Sequence, residues 1–170
     1  MKPVLKKILF LSFFLGLLGL DILFKKYVFN HLPTMGALHP FYPYGGIGIF
    51  QDFYQVTFAI VSVTNKGAAW GFLANSPNFL WWLRFIIIIF LAAYIFLKKV
   101  DWQRFAALGL ILTGAVGNLL DRFFYGSVVD MFYFQFGSYS YPVFNLADSY
   151  ITVGILWFLL SSLREIKRQV

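Results

Sequence analysis

The sequence has no cysteine, which excludes disulfides, thiolate metal ligation and a cysteine nucleophile. Histidine is nearly absent too. His31 and His39 stand eight residues apart in a Pro/Gly-rich stretch, which suits loop residues rather than a metal site. Charge is the third shortage: Asp, Glu, Lys and Arg make up 12% of the 170 residues, where a soluble domain carries about 25%. What fills the gap is apolar, with 60% hydrophobic and 22% aromatic residues. One soluble core of this size could not hide that much apolar surface. The bilayer supplies the missing apolar solvent, and the chain reads as an α-helical integral membrane protein.

The formal net charge of +7 does not indicate nucleic acid. Nine of the fourteen basic residues flank apolar runs: Lys2, Lys6, Lys7, then Lys98, Lys99, Arg104, then Arg164, Lys167, Arg168. That is a membrane-topology signal without a stacking platform, so no nucleic-acid partner is expected.

A spanning helix needs about 20 mainly apolar residues. Four segments qualify, at about 5–24, 78–97, 105–124 and 144–163. The first could pass for a cleavable signal peptide, but no A-x-A-like site follows and Asp21 stands where small residues belong. An uncleaved first span is expected. The Lys/Arg clusters place both termini and the 98–104 loop in the cytoplasm. Asp21, Asp52, Asp121, Asp130 and Asp148 then gather at the outer face.

Residues 25–77 form the larger outer segment. The Pro, Gly and aromatics of HLPTMGALHPFYPYGGIGIF predict an irregular interfacial loop. YQVTFAIVSVT, 54–64, reads as a strand of a small sheet, and GAAWGFLA, 67–74, as a short interfacial helix. Together these would make a small outer-face cradle of strand and loop. There is no internal repeat.

The chemistry concentrates where the third span ends and the fourth begins. Asp148 lies within a turn of the fourth helix's start, where the helix dipole and free N–H groups favour a carboxylate. Asn145 shares its face, and Asn118 and Asp121 repeat that spacing on the third span, with Arg122 four residues after Asn118. Charge facing lipid costs about 2.5–3.5 kcal/mol per group, so these side chains must point inward. Beyond the third span, Gly126 allows a bend and Val128–Val129 an extended piece, which aims Asp130 back at the fourth helix. Two aspartates meeting there would share a proton, as in aspartic proteases, and such a pair hydrolyses amides. Plainer readings exist for each residue alone: an anchoring Asp121–Arg122 ion pair, a helix-stabilising Asp148, a solvated Asp130.

Four blocks carry a resemblance to a known family: Asp21…Lys25, "TNKGAAWGFL" (64–73), "GAVGNLLDRFFYGSVVDMF" (114–132) and "FNLADSYI" (144–151). The chain resembles lipoprotein signal peptidase (signal peptidase II), a bacterial membrane aspartyl protease family. The resemblance implies Asp130 and Asp148 as catalytic aspartates and Asn65, Asn118, Asp121, Arg122 and Asn145 as supporting positions. The family's first-span pair falls on Asp21 and Lys25, a structural i, i+4 ion pair. The implied activity is removal of the signal peptide from a prolipoprotein just before its diacylglyceryl-modified cysteine. It implies no cofactor or metal, membrane lipid and the prolipoprotein as partners, a monomer as the working form, and the bacterial inner membrane with the site towards the periplasm. The chain departs from the family at Ile22–Phe24, Trp70, Gly71 and Met131, and its 30–50 loop is longer.

Two rivals belong to other classes. A proton-coupled transporter would place its charges near the midplane and show paired broken helices. A non-enzymatic assembly protein would use the acids structurally. A presenilin-type protease, also built on an Asp pair, would need a G-x-G-D setting that is absent.

Overall fold

The computed structural model describes residues 3–36, 38–65, 77–98 and 100–169. In chain order the elements are α1 (Pro3–His31), β1 (Ile47–Phe53), β2 (Val56–Asn65), α2 (Pro77–Leu97), α3 (Trp102–Tyr125), β3 (Val128–Phe136), β4 (Tyr139–Ser140) and α4 (Leu146–Gln169). Among the described residues the protein is mostly helical, with one small antiparallel sheet. The 67–74 segment expected as an interfacial helix lies outside the described residues.

Among the described residues three helices are long and apolar enough to cross a membrane: Ile8–His31, Trp102–Tyr125 and Leu146–Arg164. The apolar stretch of α2, Trp81–Leu97, is shorter. Leu9, Leu11, Phe13, Leu156, Leu159 and Leu160 are each about half exposed or more on these helices. Apolar side chains displayed this widely need hydrocarbon, not water, around them.

The chain divides into two compact units. The first comprises Met1–Asp21, Trp82–Leu119 and Leu146–Val170. Its helices meet through small residues. A Cβ on Gly114 would strike the Ala147 carbonyl, and one on Gly154 would lie 2.7 Å from the Ala107 carbonyl, so α3 and α4 touch backbone to backbone at two levels. Close approach of this kind replaces the hydrophobic drive that lipid removes. Nearer the other end, Phe10, Phe14, Trp102 and Phe105 form an aromatic cluster. Asp101 caps α3, its Oδ1 accepting from the Gln103 and Arg104 N–H groups.

The second unit comprises Ile22–Trp81 and Leu120–Asn145. Its sheet has the order β1-β2-β3-β4, all neighbours antiparallel. The stretch read as an irregular loop therefore corrects to a loop that ends in a strand. Ile47, Ile49 and Phe53 are β formers, and pairing with β2 recruits them despite the Pro and Gly before them. The extended piece after Gly126 is likewise a nine-residue strand. Gly126, at φ +72°, ends α3 with its N–H on the Arg122 carbonyl, a left-handed cap that turns the chain into β3. One apolar cluster packs Val28 of α1 against Val129 and Met131. Another gathers Ala59, Val61 and Tyr133 with Met35, Tyr42 and Tyr44. Burial, then the neighbouring Tyr133, pushes the Tyr44 phenol above its ordinary range.

Candidate active site

The polar residues singled out in the sequence fall into two groups, one in each unit. In the first unit, Asn118 is buried on α3 and Asp148 is half-exposed in the first turn of α4. Asn118 Nδ2 donates to Asp148 Oδ1 at 2.8 Å. Asp21, buried on α1, accepts the Ala147 N–H at 3.0 Å through its Oδ1. A carboxylate borrowed from another helix thus caps α4 just before Asp148. This satisfies an N–H that the helix cannot satisfy itself and sits well in the helix dipole.

In the second unit, Asp130 is on β3 and only 4% exposed. Asn145, fully buried, donates its Nδ2 to Asp130 Oδ1 at 2.7 Å and also reaches the Val129 carbonyl at 3.3 Å. Phe144 runs antiparallel to Phe132, which brings Asn145 beside this stretch of β3. Asp121 Oδ2 takes the Val129 N–H at 3.2 Å and lies 2.8 Å from Lys25 Nζ. Both members of that ion pair are buried. The segment carrying Asp130 is therefore pinned from both directions: Asp121 holds the amide of Val129, and Asn145 holds its carbonyl and the carboxylate that follows. Asn65 ends β2 in register with Val128, and Arg122 is half-buried in the last turn of α3.

Amide donors aimed at one oxygen of a carboxylate fix its orientation. Among the described residues no three of His, Cys, Asp and Glu converge as metal ligands. The Lys25–Asp121 bridge and the Asp21 cap escaped the sequence reading. Their signal was the mere presence of charge in apolar segments; the partner on another helix was not legible.

Membrane-crossing helices, with a carboxylate held by an asparagine amide in each unit, define an integral membrane protein. A family model described as signal peptidase (SPase) II matches residues 13–164, and the chain belongs to that family, membrane proteases of lipoprotein processing. Two solved structures of bacterial membrane enzymes are similar along nearly their whole length. One, determined in meso at 2.3 Å, superposes with a TM-score of 0.79 at 25% identity, covering 95% of this chain and 91% of that one. Another, at 1.9 Å, gives 0.72 at 26% identity, covering 91% and 92%.

Proposed function

We propose that the protein is an aspartic endopeptidase that removes the signal peptide from lipid-modified bacterial prolipoproteins, cutting just before the diacylglyceryl-cysteine. Asp130 and Asp148 are its catalytic pair. The observation that carries this reading is the matched holding of the two carboxylates, Asp130 by Asn145 at 2.7 Å and Asp148 by Asn118 at 2.8 Å. Chain connectivity supports it. Asn145, which grips Asp130, precedes Asp148 by three residues, a reach of at most about 11 Å between their Cα atoms.

The pair holds one proton. The ionised aspartate takes a proton from water as the water oxygen attacks the scissile carbonyl, and the protonated one hydrogen-bonds the carbonyl oxygen and passes its proton there. In the tetrahedral intermediate the C–N bond breaks, the leaving amine takes the proton gained from water, and a hydroxyl proton returns to the second aspartate. The pair is then restored. Asn65 and Arg122 orient the substrate backbone, Asp121 holds Val129, and Asp21 with Lys25 ties α1 to this machinery.

The enzyme works as one peptidase domain, a monomer without a cofactor, in the inner membrane. In this reading α2 is a fourth span, both termini are cytoplasmic, and the site lies towards the periplasm, as the Lys/Arg distribution supports. Asp130→Asn and Asp148→Asn should each abolish cleavage of a lipid-modified precursor by the purified protein while leaving it folded and inserted. Near-normal cleavage by either variant would overturn the pair. Equal cutting of modified and unmodified precursors would remove the lipid from the specificity.

A further inference from the structure

β3 carries more than Asp130. Between Ile60–Phe132 and Val63–Asp130 the sheet register advances three residues in β2 and two in β3, so the extra residue belongs to β2. β3 itself keeps the two-residue alternation of a regular strand. Asp130, Phe132, Phe134 and Phe136 therefore project from one face, and Val129, Met131 and Tyr133 from the other, where they are buried.

The ring contacts extend that face sideways. Phe58 stacks on Phe134 with centroids 4.3 Å apart and planes 8° from parallel. Phe144 lies 5.6 Å from Phe132 and 6.0 Å from Phe134, and Phe136 lies 6.2 Å from Phe134. Opposite them in register on β2 stand Phe58, Ile60 and Val56, so among the described residues the β2 side of this strip is apolar; phenols enter only at its β4 edge, with Tyr139 opposite Phe136 and Tyr141 5.8 Å from Phe144. A solvated sheet face alternates with polar residues. Here the second face is apolar as well, although Phe136 stays 47% exposed and the other rings are only half-buried.

The shape and chemistry of this strip restrict what fits it. The seven strand residues from Asp130 to Phe136 extend about 20 Å, against about 15 Å for one leaflet's half of the hydrocarbon core. An extended peptide laid along the centre of the strip would bring its amide groups against phenylalanine rings and aliphatic side chains, with phenols only at the β4 edge to meet them. A hydrocarbon chain makes only the dispersion contacts that rings supply. We propose that the phenylalanine strip of β3, with Phe58 and Phe144, is a binding site for a fatty acyl chain of the substrate, laid along the sheet with its polar end towards Asp130. This rests on the lipid-modified substrate of the preceding section, and adds where its lipid is held and that its chain length is read.

The test uses a lipid-modified precursor peptide with a photoactivatable diazirine on a palmitoyl chain, bound to the purified full-length protein. Labelling does not require hydrolysis, so it is independent of the catalytic reading. The label is expected on Phe58 and on the 132–144 stretch, with Phe134→Ala lowering it about tenfold and Phe134→Leu retaining most of it. In cleavage, Phe134→Ala should raise KM for the dipalmitoyl precursor by a similar factor, with kcat unchanged, and leave a diacetyl precursor unaffected. Since one variant meets both substrates, a general loosening of the sheet would lower both equally; that result overturns the proposal. So does a label confined to the helices. Labelling of the strip without any cleavage would sustain the acyl site and remove the peptidase reading, whereas cleavage with label elsewhere would do the reverse.

Discussion

Lys25 is fully buried, and its ammonium lies 2.8 Å from an equally buried Asp121 carboxylate. Removing one member strands the other charge. Lys25→Met should cost about 3–5 kcal/mol, read as a lower thermal unfolding midpoint in detergent. Lys25→Met with Asp121→Leu should recover much of that stability but not the activity, because Val129 then loses the acceptor for its N–H next to Asp130. In the proposed catalytic pair the asparagines act through orientation, each holding one carboxylate oxygen. Asn145→Ala should lower kcat about 100-fold with little change in KM, the scale of loss expected when a reacting group shifts by about an ångström. Steady-state cleavage of a lipid-modified precursor checks both. At this scale the sequence made the residues visible and hid their partners. Charge is so scarce that Asp21, Lys25 and Asp121 stood out, yet helical periodicity pairs a residue only with neighbours on its own helix. It could suggest Asp21 beside Lys25; it could not find Ala147 or Asp121 on another.

Among the elements, the helices were legible because each is a long apolar run, whereas the strands depended on pairing. β2 is rich in β-branched residues and could be read directly. β1 lay behind Pro and Gly, and only its register with β2, Ile47 opposite Ile60 and Phe53 opposite Val56, makes it a strand. The turn between them is under visible stress. Tyr54 and Gln55, its two central residues, have φ of 51° and 64°, the left-handed region that favours Asn and Gly. Tyr54 is 87% exposed, and its ring contact is with the likewise exposed Phe53, 4.8 Å away. Tyr54→Asn with Gln55→Gly should therefore stabilise the protein by about 1 kcal/mol, seen as a raised unfolding midpoint with unchanged activity. The α3–α4 contact has the opposite tolerance. A Cβ on Gly117 would come within 2.6 Å of Asp21 Oδ2 and 3.3 Å of the Ala147 Cβ. Gly117→Ala should thus push Asp21 off the Ala147 N–H and cost about 0.5–2 kcal/mol, the worth of a helix cap. An unchanged unfolding midpoint would show that α3 shifts freely.

For the whole molecule the number of crossings turns on α2, and the β2–β3 pairing needs an even number of crossings between those strands. Its apolar stretch Trp81–Leu97 is about 25 Å long at 1.5 Å per residue, short of the roughly 30 Å hydrocarbon core. The full helix Pro77–Leu97, 21 residues, is about 31 Å long and just reaches. Arg84, two turns in, is half-buried with a guanidinium nitrogen inside the protein, so its charge is turned away from lipid. The two alternatives invert everything after α2. If α2 crosses, the turn at Lys98 is cytoplasmic and the β3–β4 turn at Ser138 is outside; if it does not, Lys98 is outside and Ser138 inside. The chain lacks cysteine, so any introduced cysteine is the sole thiol. In intact cells stripped of their outer membrane, Ser138→Cys should react with a membrane-impermeant maleimide and Lys98→Cys only after the membrane is opened. The reversed pattern would mean three crossings; it would put the basic loop on the side that the Lys/Arg distribution forbids and would leave β2 and β3, which pair in one sheet, on opposite sides of the membrane.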